Sequence, residues 1–130
     1  MNGFTAYLEN ALLNTLRGRA YSTETLYLAL FTSPASDVAP GAEIADPAYA
    51  RQKITFGAVV QQDAGSAIQN SADLVFPVAT QDWGAVTDFG VFDSLTGGNM
   101  LFYGQLTAAK PIESNETLRF MAGQVTLKLG

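Results

Sequence analysis

Three aspartates are the residues in this sequence best placed for chemistry. Asp82, Asp88 and Asp93 bracket an aromatic stretch, and paired carboxylates serve glycoside hydrolases or bind Ca²⁺. Their spacing argues against both uses, and Asp82 and Asp93 lie at predicted turns, where an Asp side chain accepts hydrogen bonds from nearby backbone N–H groups. We therefore interpret the three as structural and predict no catalytic residue and no metal ligand.

Missing residue types remove most other catalytic arrangements. The 130 residues include no His and no Cys, so the sequence lacks the commonest general base, thiolate zinc ligands and disulfides. A serine nucleophile would need a lysine base, and neither an SxxK nor a GxSxG pattern is present. The sequence predicts a protein that is not an enzyme and binds no cofactor. A hydrolase based on acidic side chains and a lectin-like carbohydrate module are the less favoured alternatives.

Aromatic side chains offer one further kind of site. An exposed Trp beside a Tyr forms a platform for sugars, whereas a buried Trp is a large core residue. Trp83, the single Trp, stands at the start of a predicted strand, which favours a core or rim position. We make the same prediction for Phe89, Phe92 and Tyr103 in the runs that follow.

A predicted β-hairpin organises the rest of the chain. Its strands, 86–92 and 100–106, flank a polar turn over 93–99 in which Gly97 and Gly98 supply backbone positions with φ > 0. Both strands are too apolar for one whole face to meet water. The hairpin is therefore expected to lie between two layers.

The N-terminal segment, 1–19, is predicted to be an amphipathic helix of about three to four turns. Its apolar residues recur at helical spacing and comprise Phe4, Tyr7, Leu8, Ala11, Leu12 and Leu16. Gly18 suits the left-handed position after a helix, and Arg17 and Arg19 complement the negative end of the helix dipole. We expect the helix to pack against one face of the next predicted strand, 25–31.

Short strands separated by turns account for most of the remaining sequence. They are predicted at 25–31, 51–60, 66–70, 73–76, 118–122 and 124–130, with a turn at 63–65. The weak strand 66–70 is expected at a sheet edge, and Val125, Leu127 and Leu129 are expected to face inward. With the hairpin this gives about eight strands, which is typical of a mainly β fold, a two-layer antiparallel β-sandwich of the jelly-roll kind.

The longest predicted loop, 33–50, separates the first of these strands from the second. Pro34, Pro40 and Pro47 prevent regular structure over most of its length. Loops of more than about 12 to 15 residues in a compact domain are usually functional or mobile, so this loop is a candidate contact arm; a surface loop with no partner is the alternative. The candidate partner contacts are Asp37, Val38, Pro40, Glu43, Ile44, Tyr49 and Arg51.

Composition sets limits on partners and location. A length of 130 residues predicts one domain, 1–130, with the sandwich over 25–130. Hydrophobic residues make up 48% and charged residues 15%, so part of the apolar surface is expected to meet a protein partner. A net charge of -5 with scattered basic residues argues against nucleic acid, and no apolar run approaches the roughly 20 residues that cross a membrane. No N-terminal export signal is recognised, so folding in a cytoplasm is expected.

Five segments resemble a known protein family. They are AYLENALLNTLRGRAY, YARQ, DWGAVTDFGVFD, TGGNMLFYGQL and ETLRFMAGQVTLKL, and they resemble small virion structural proteins of tailed bacteriophages. Members of this family are commonly labelled phage tail fibre or head decoration proteins. The resemblance covers nearly the whole chain and implies a non-enzymatic virion protein that is assembled in the host bacterial cytoplasm.

Two virion roles follow from this resemblance. The first hypothesis is a capsid decoration or cement protein, a homo-oligomer and by analogy a trimer, that binds the major capsid protein and stabilises the head shell. The alternative is a tail fibre, tail-tip or baseplate subunit that takes part in host attachment and contacts a neighbouring tail protein. Neither role involves nucleic acid or a membrane.

Overall fold

The structure is a computed structural model that describes residues 3–18, 25–62 and 65–129. The elements in chain order are β1 (Gly3–Phe4), α1 (Ala6–Leu16), β2 (Leu26–Phe31), β3 (Gln52–Ile54), β4 (Val60–Gln62), β5 (Gly65–Gln69), β6 (Leu74–Val75), β7 (Gly84–Phe92), β8 (Met100–Ile112), β9 (Arg119–Phe120) and β10 (Thr126–Leu129). Neighbouring strands in the described sheets all pair antiparallel. The prediction of a mainly β fold with one helix near the N-terminus is confirmed.

Some of the residues for which the sequence makes predictions lie outside the described part of the chain. Val125 and Leu127 are buried as predicted, at 3% and 9% exposure, whereas the side chain of Leu129 lies outside the described residues. Residues 63–64 of a predicted turn lie outside them as well, and so does Arg19.

The described strands form three sheets. The largest has the order β1-β8-β7-β2-β3, another has the order β10-β5-β4, and β6 pairs with β9. β5 therefore lies in the middle of its sheet, so the prediction of an edge position for 66–70 is wrong. Small side chains such as Ser66 and Ala67 weaken the strand signal in the sequence, but the pairing is made by backbone groups that every residue type except proline supplies.

β7 and β8 form the predicted hairpin at the centre of the largest sheet. Gly97 and Gly98 have φ angles of 61° and 73°, as the turn requires. Asp93 closes the turn, because its carboxylate accepts hydrogen bonds from the backbone and side-chain nitrogens of Asn99 at 2.7 and 3.1 Å. β8 extends beyond its predicted end to Ile112, where it still pairs with the start of β7.

β8 contains a large bulge. Val86 of β7 pairs with Lys110, and Asp88 pairs with Gln105. Four residues of β8 therefore lie opposite the single residue Thr87. The Thr87 hydroxyl is buried and has no hydrogen-bond partner within the described structure. Since burial of an unpaired hydroxyl costs free energy, the bulge is a locally unfavourable part of the hairpin.

The hairpin layer is buried on both faces, as predicted. Leu28 and Leu30 of β2 belong to the main core, which also takes side chains from each of the two smaller sheets. Ala29 and Phe31, the alternate residues of β2, belong to a smaller core on the opposite face. Ala35 of the long loop packs against this smaller core.

The helix α1 begins later than predicted and lies elsewhere. Phe4 belongs to β1, where its ring packs edge-on against Phe102 with 5.4 Å between centroids. Thr5 caps the helix, since its Oγ1 accepts a hydrogen bond from Leu8 N and donates one to a backbone oxygen of β8. Gly18 has the positive φ predicted for the residue after the helix. None of the α1 residues is buried, and the main contacts of the helix are with β8 and β1, so the expectation that it packs on β2 is wrong.

Gly104→Ala tests the close packing of β8 against the core. A Cβ at Gly104 would lie 2.4 Å from Cζ of the buried Phe89 ring, whereas a Cβ at Gly57 would have no neighbour nearer than 3.9 Å. We expect Gly104→Ala to lower the free energy of unfolding by about 1 to 3 kcal/mol through overpacking, as measured by chemical denaturation. Gly57→Ala is the matched control, and an equal loss in both variants would contradict this account.

Candidate assembly surface

Asp46 fixes the middle of the long loop, 33–50. Its carboxylate is buried and accepts hydrogen bonds from Trp83 Nε1 at 3.0 Å and from the backbone N and Oγ1 of Thr80 at 2.7 and 2.5 Å. A further hydrogen bond comes from Ala48 N within the loop. Because both carboxylate oxygens are paired, the buried charge is compensated and ties the loop to the segment that precedes β7.

Arg51 fixes the end of the loop. Its Nε and Nη2 donate to the two carboxylate oxygens of Glu43, each at 2.9 Å, in a bidentate pair. Its Nη1 donates to the backbone oxygens of Ser94 and Gly97 at 2.9 and 2.8 Å, and the guanidinium carbon lies 3.8 Å from the centre of the Phe92 ring. One buried cation therefore joins the loop, the hairpin turn and an aromatic residue of the smaller core.

Tyr49 connects this ion pair to β2. Its hydroxyl donates to Oε2 of Glu43 at 2.7 Å and accepts a hydrogen bond from the backbone N of Leu30 at 3.0 Å. Burial raises the pKa of Tyr49, and the hydrogen bond to Glu43 raises it further, so the phenol keeps its proton and continues to donate. The ring also stacks on Phe76, with 6.2 Å between centroids.

These contacts divide the predicted partner residues into two groups. The first group makes contacts within its own chain and consists of Glu43, Ile44, Tyr49 and Arg51. The second group is exposed and consists of Asp37, Val38 and Pro40, and of these Asp37 also accepts a hydrogen bond from the Tyr103 hydroxyl. The role of the loop as a contact arm stays a prediction.

The four predicted core or rim aromatics are all buried. Their exposed fractions are 6% for Trp83 and Phe89, 4% for Phe92 and 3% for Tyr103. The Trp83 ring therefore lacks the open face that sugar stacking needs. The Tyr103 hydroxyl donates to the carboxylate of Asp37, and this hydrogen bond, together with burial, raises the pKa of Tyr103.

Leucines of α1 are exposed to solvent. Leu12, Leu13 and Leu16 are 40%, 61% and 84% exposed. Leu8 of the same helix lines an apolar groove of about 310 Å³. Other side chains that line this groove are Phe4, Phe56, Val59, Ile68 and Leu127. The three exposed leucines and the groove that Leu8 lines are together termed the α1 surface.

Charged residues flank the exposed leucines. Glu9, Leu13 and Arg17 are spaced by four residues and so lie in that order along one side of the helix. The sequence periodicity correctly indicated an apolar helix face. It did not distinguish a face that packs on its own core from one that stays exposed.

Of the three aspartates singled out for chemistry, Asp93 has the predicted turn role, since it accepts a hydrogen bond from Asn99 N across the hairpin turn. Asp82 instead accepts its hydrogen bond from Ser114 N at 3.0 Å, 32 residues further along the chain, so it joins two distant segments and does not close a local turn. Among residues 3–18, 25–62 and 65–129, no three His, Cys, Asp or Glu side chains are grouped so as to hold a metal ion. The same part of the chain contains no helix with the length and apolar character required to cross a membrane.

Asp46→Asn is expected to make stability less dependent on acid pH. Burial raises the pKa of Asp46, but hydrogen bonds from Thr80, Ala48 and Trp83 outweigh burial and hold the pKa well below its usual range. A carboxylate whose folded pKa is below its unfolded value stabilises the fold fully above about pH 4 and loses that contribution as the pH falls. In thermal denaturation between about pH 6 and pH 3, the wild-type melting temperature should fall more steeply than that of Asp46→Asn. Parallel profiles would contradict this role.

Comparison with known proteins identifies the family. Residues 3–128 match the family described as Podophage GP4 fiber I protein gp80. No curated protein matches the chain. The description names a fibre protein, which favours the tail-fibre alternative over the capsid-decoration hypothesis. Because the match spans nearly the whole chain, the protein belongs to the podophage GP4 fiber I protein gp80 family and is a phage virion structural protein of the tail-fibre kind.

Proposed function

We propose that this protein is a structural subunit of a phage tail fibre and performs no catalysis. The observation that carries the proposal beyond the family match is the α1 surface, because a folded chain with three exposed leucines on one helix has an apolar strip to bury against another chain. A fibre depends on such contacts between its subunits. Its place of action is the virion, and its assembly takes place in the cytoplasm of the host bacterium.

Self-association through α1 is the assembly step in this proposal. Two copies of the helix that run antiparallel and cross at Leu13 place Glu9 of each copy opposite Arg17 of the other, because these residues lie four positions before and after Leu13. The arrangement is symmetric, as a two-fold interface requires. A parallel pair would instead bring like charges together. The exposed Arg17 guanidinium donates to Asn14 of its own helix, and it can exchange this surface hydrogen bond for the carboxylate.

Burial of leucine supplies the driving force. Complete burial of a leucine side chain contributes about 1.5 to 3 kcal/mol, and Leu13 and Leu16 are 61% and 84% exposed in the single chain. This gain must exceed the entropy lost on association, and one short helix covers less area than stable interfaces bury. The interface therefore also includes the rim of the groove, where Val59 is 68% exposed.

The arrangement of the layers is part of the proposal. The main core takes side chains from the five-stranded sheet and from the two smaller sheets. This supports a two-layer antiparallel β-sandwich of the jelly-roll kind, in which the five-stranded sheet forms one layer. The exposed loop residues Val38 and Pro40 are then available for contact with a neighbouring tail protein.

Leu13→Gln combined with Leu16→Gln is expected to prevent self-association without unfolding the chain, because both side chains are exposed. Light scattering should give the wild type a mass of twice 13.8 kDa and the double variant the mass of one chain. A trimer, as the resemblance implies, would give three times that mass. Val78→Gln is the matched control, since Val78 is 54% exposed and lies outside α1. A monomeric wild type, or a double variant that still associates, would remove α1 from the interface.

Copy number in purified virions distinguishes a fibre subunit from a shell decoration. We expect quantitative mass spectrometry to find far fewer copies of this protein than of the major capsid protein, since a fibre occupies few positions on the particle. A copy number comparable with that of the shell protein would contradict the fibre role and restore the capsid-decoration hypothesis.

A further inference from the structure

A polar cleft lies where the bulge of β8 approaches β9 and β10. Its volume is about 360 Å³, within the roughly 300 to 1,000 Å³ of small-ligand sites. Gln105, Leu106, Thr107 and Lys110 of β8 form one part of its lining. The same stretch lies opposite Thr87, whose buried hydroxyl has no partner in the described structure. Locally unfavourable bulges are found next to functional sites, where they shape the site. The bulge at the wall of this cleft therefore indicates a binding site.

Two cationic side chains, Lys110 and Arg119, line the cleft. None of the described residues that line it is acidic. Arg119 pairs with Asp73, which lies outside the lining, at 2.8 Å. No described carboxylate lies within ion-pair distance of Lys110. Asp73 thus offsets the charge of Arg119, whereas Lys110 keeps an unpaired positive charge at the cleft, which favours an anionic ligand.

Neutral polar groups and aromatic rings accompany these cations. The Oε1 of Gln124 accepts a hydrogen bond from Met121 N at 2.7 Å, which orients the amide and leaves its NH₂ group as a donor toward the cleft lining. Phe89 and Phe120 also belong to the lining, but they are only 6% and 5% exposed, so their rings offer no open face for stacking. The hydrogen-bonding side chains suit a sugar, which has hydroxyl groups at its edge.

We propose that this cleft binds an acidic sugar, a saccharide unit that carries a carboxylate. The carboxylate pairs with Lys110, and the hydroxyl groups meet Gln124 and Thr107. This inference deepens the proposed function. It rests on the fibre role for the source of the sugar, because a fibre subunit with this cleft would attach to an anionic polysaccharide on a host surface.

The test is an NMR titration of the isotope-labelled full chain with pairs of sugars. Glucuronate and galacturonate are compared with glucose and galactose, which differ from them only by the carboxylate. We expect the acids to shift the amide signals of 105–110 and 124–126, and the neutral sugars to bind at least about tenfold more weakly. Equal binding of acidic and neutral sugars, shifts outside the cleft, or no shift at all would overturn the proposal.

Lys110→Gln is the variant that isolates the charge. Lys110 is exposed, so the substitution leaves the fold intact, and the affinity for the acids should fall roughly tenfold while that for the neutral sugars stays unchanged. Lys53→Gln is the matched control, because Lys53 is an exposed lysine of β3 that does not line the cleft. An equal loss in both variants would overturn the proposal, since it would reflect net charge rather than the cleft.

Failure of this inference and failure of the fibre role give different results. A protein present in few copies per virion that does not bind the acids loses the cleft assignment and keeps its role in the fibre. A protein as abundant as the shell subunit that binds the acids keeps the cleft assignment and loses its role in the fibre.

Discussion

The fold depends on keeping the buried guanidinium of Arg51 fully paired. A cation removed from water is tolerated only where other charges and hydrogen-bond acceptors replace the solvent. Here the replacements come from separate parts of the chain: Glu43 in the long loop, Ser94 and Gly97 in the hairpin turn, and the Phe92 ring. If the loop moved away from the turn, the guanidinium would lose these partners. Backbone hydrogen bonds add to this attachment, since Thr32 N donates to Ala42 O and Ile44 N donates to Leu30 O.

A fixed loop in turn determines which surfaces stay open. The loop approaches β2 so closely that a Cβ at Gly41 would lie 3.0 Å from Cβ of Phe31, and Ala35 packs against the same core. This face of the sheet is thus occupied, and α1 lies against β1 and the start of β8 with its leucines uncovered. Because the loop covers this face of the sheet and α1 lies at its edge, the exposed apolar side chains that the composition predicts are found on α1.

Local features of this fold are readable from the sequence, and its long-range features are not. The hairpin follows from alternating apolar residues around Gly97 and Gly98, all within a short stretch. The central position of β5 and the placement of α1 depend on which distant segments meet, and helical periodicity is the same for a core face and for an interface. Arg51 and Asp46 stand among prolines and alanines, so they look like ordinary surface charges of a loop. The bulge residues of β8, 106–109, include no glycine or proline that would predict a bulge from the sequence.

The two halves of β8 have different surroundings. Its first residues carry the core and hold α1, since Thr5 bonds the backbone oxygens of Met100 and Leu101. Its bulged part lines the cleft, on the order of 20 Å further along the strand. In the proposed assembly, α1 meets another copy near the start of β8 and the sugar meets the bulged part, so a fibre that presents several clefts would bind a repeating polysaccharide more tightly than one copy does.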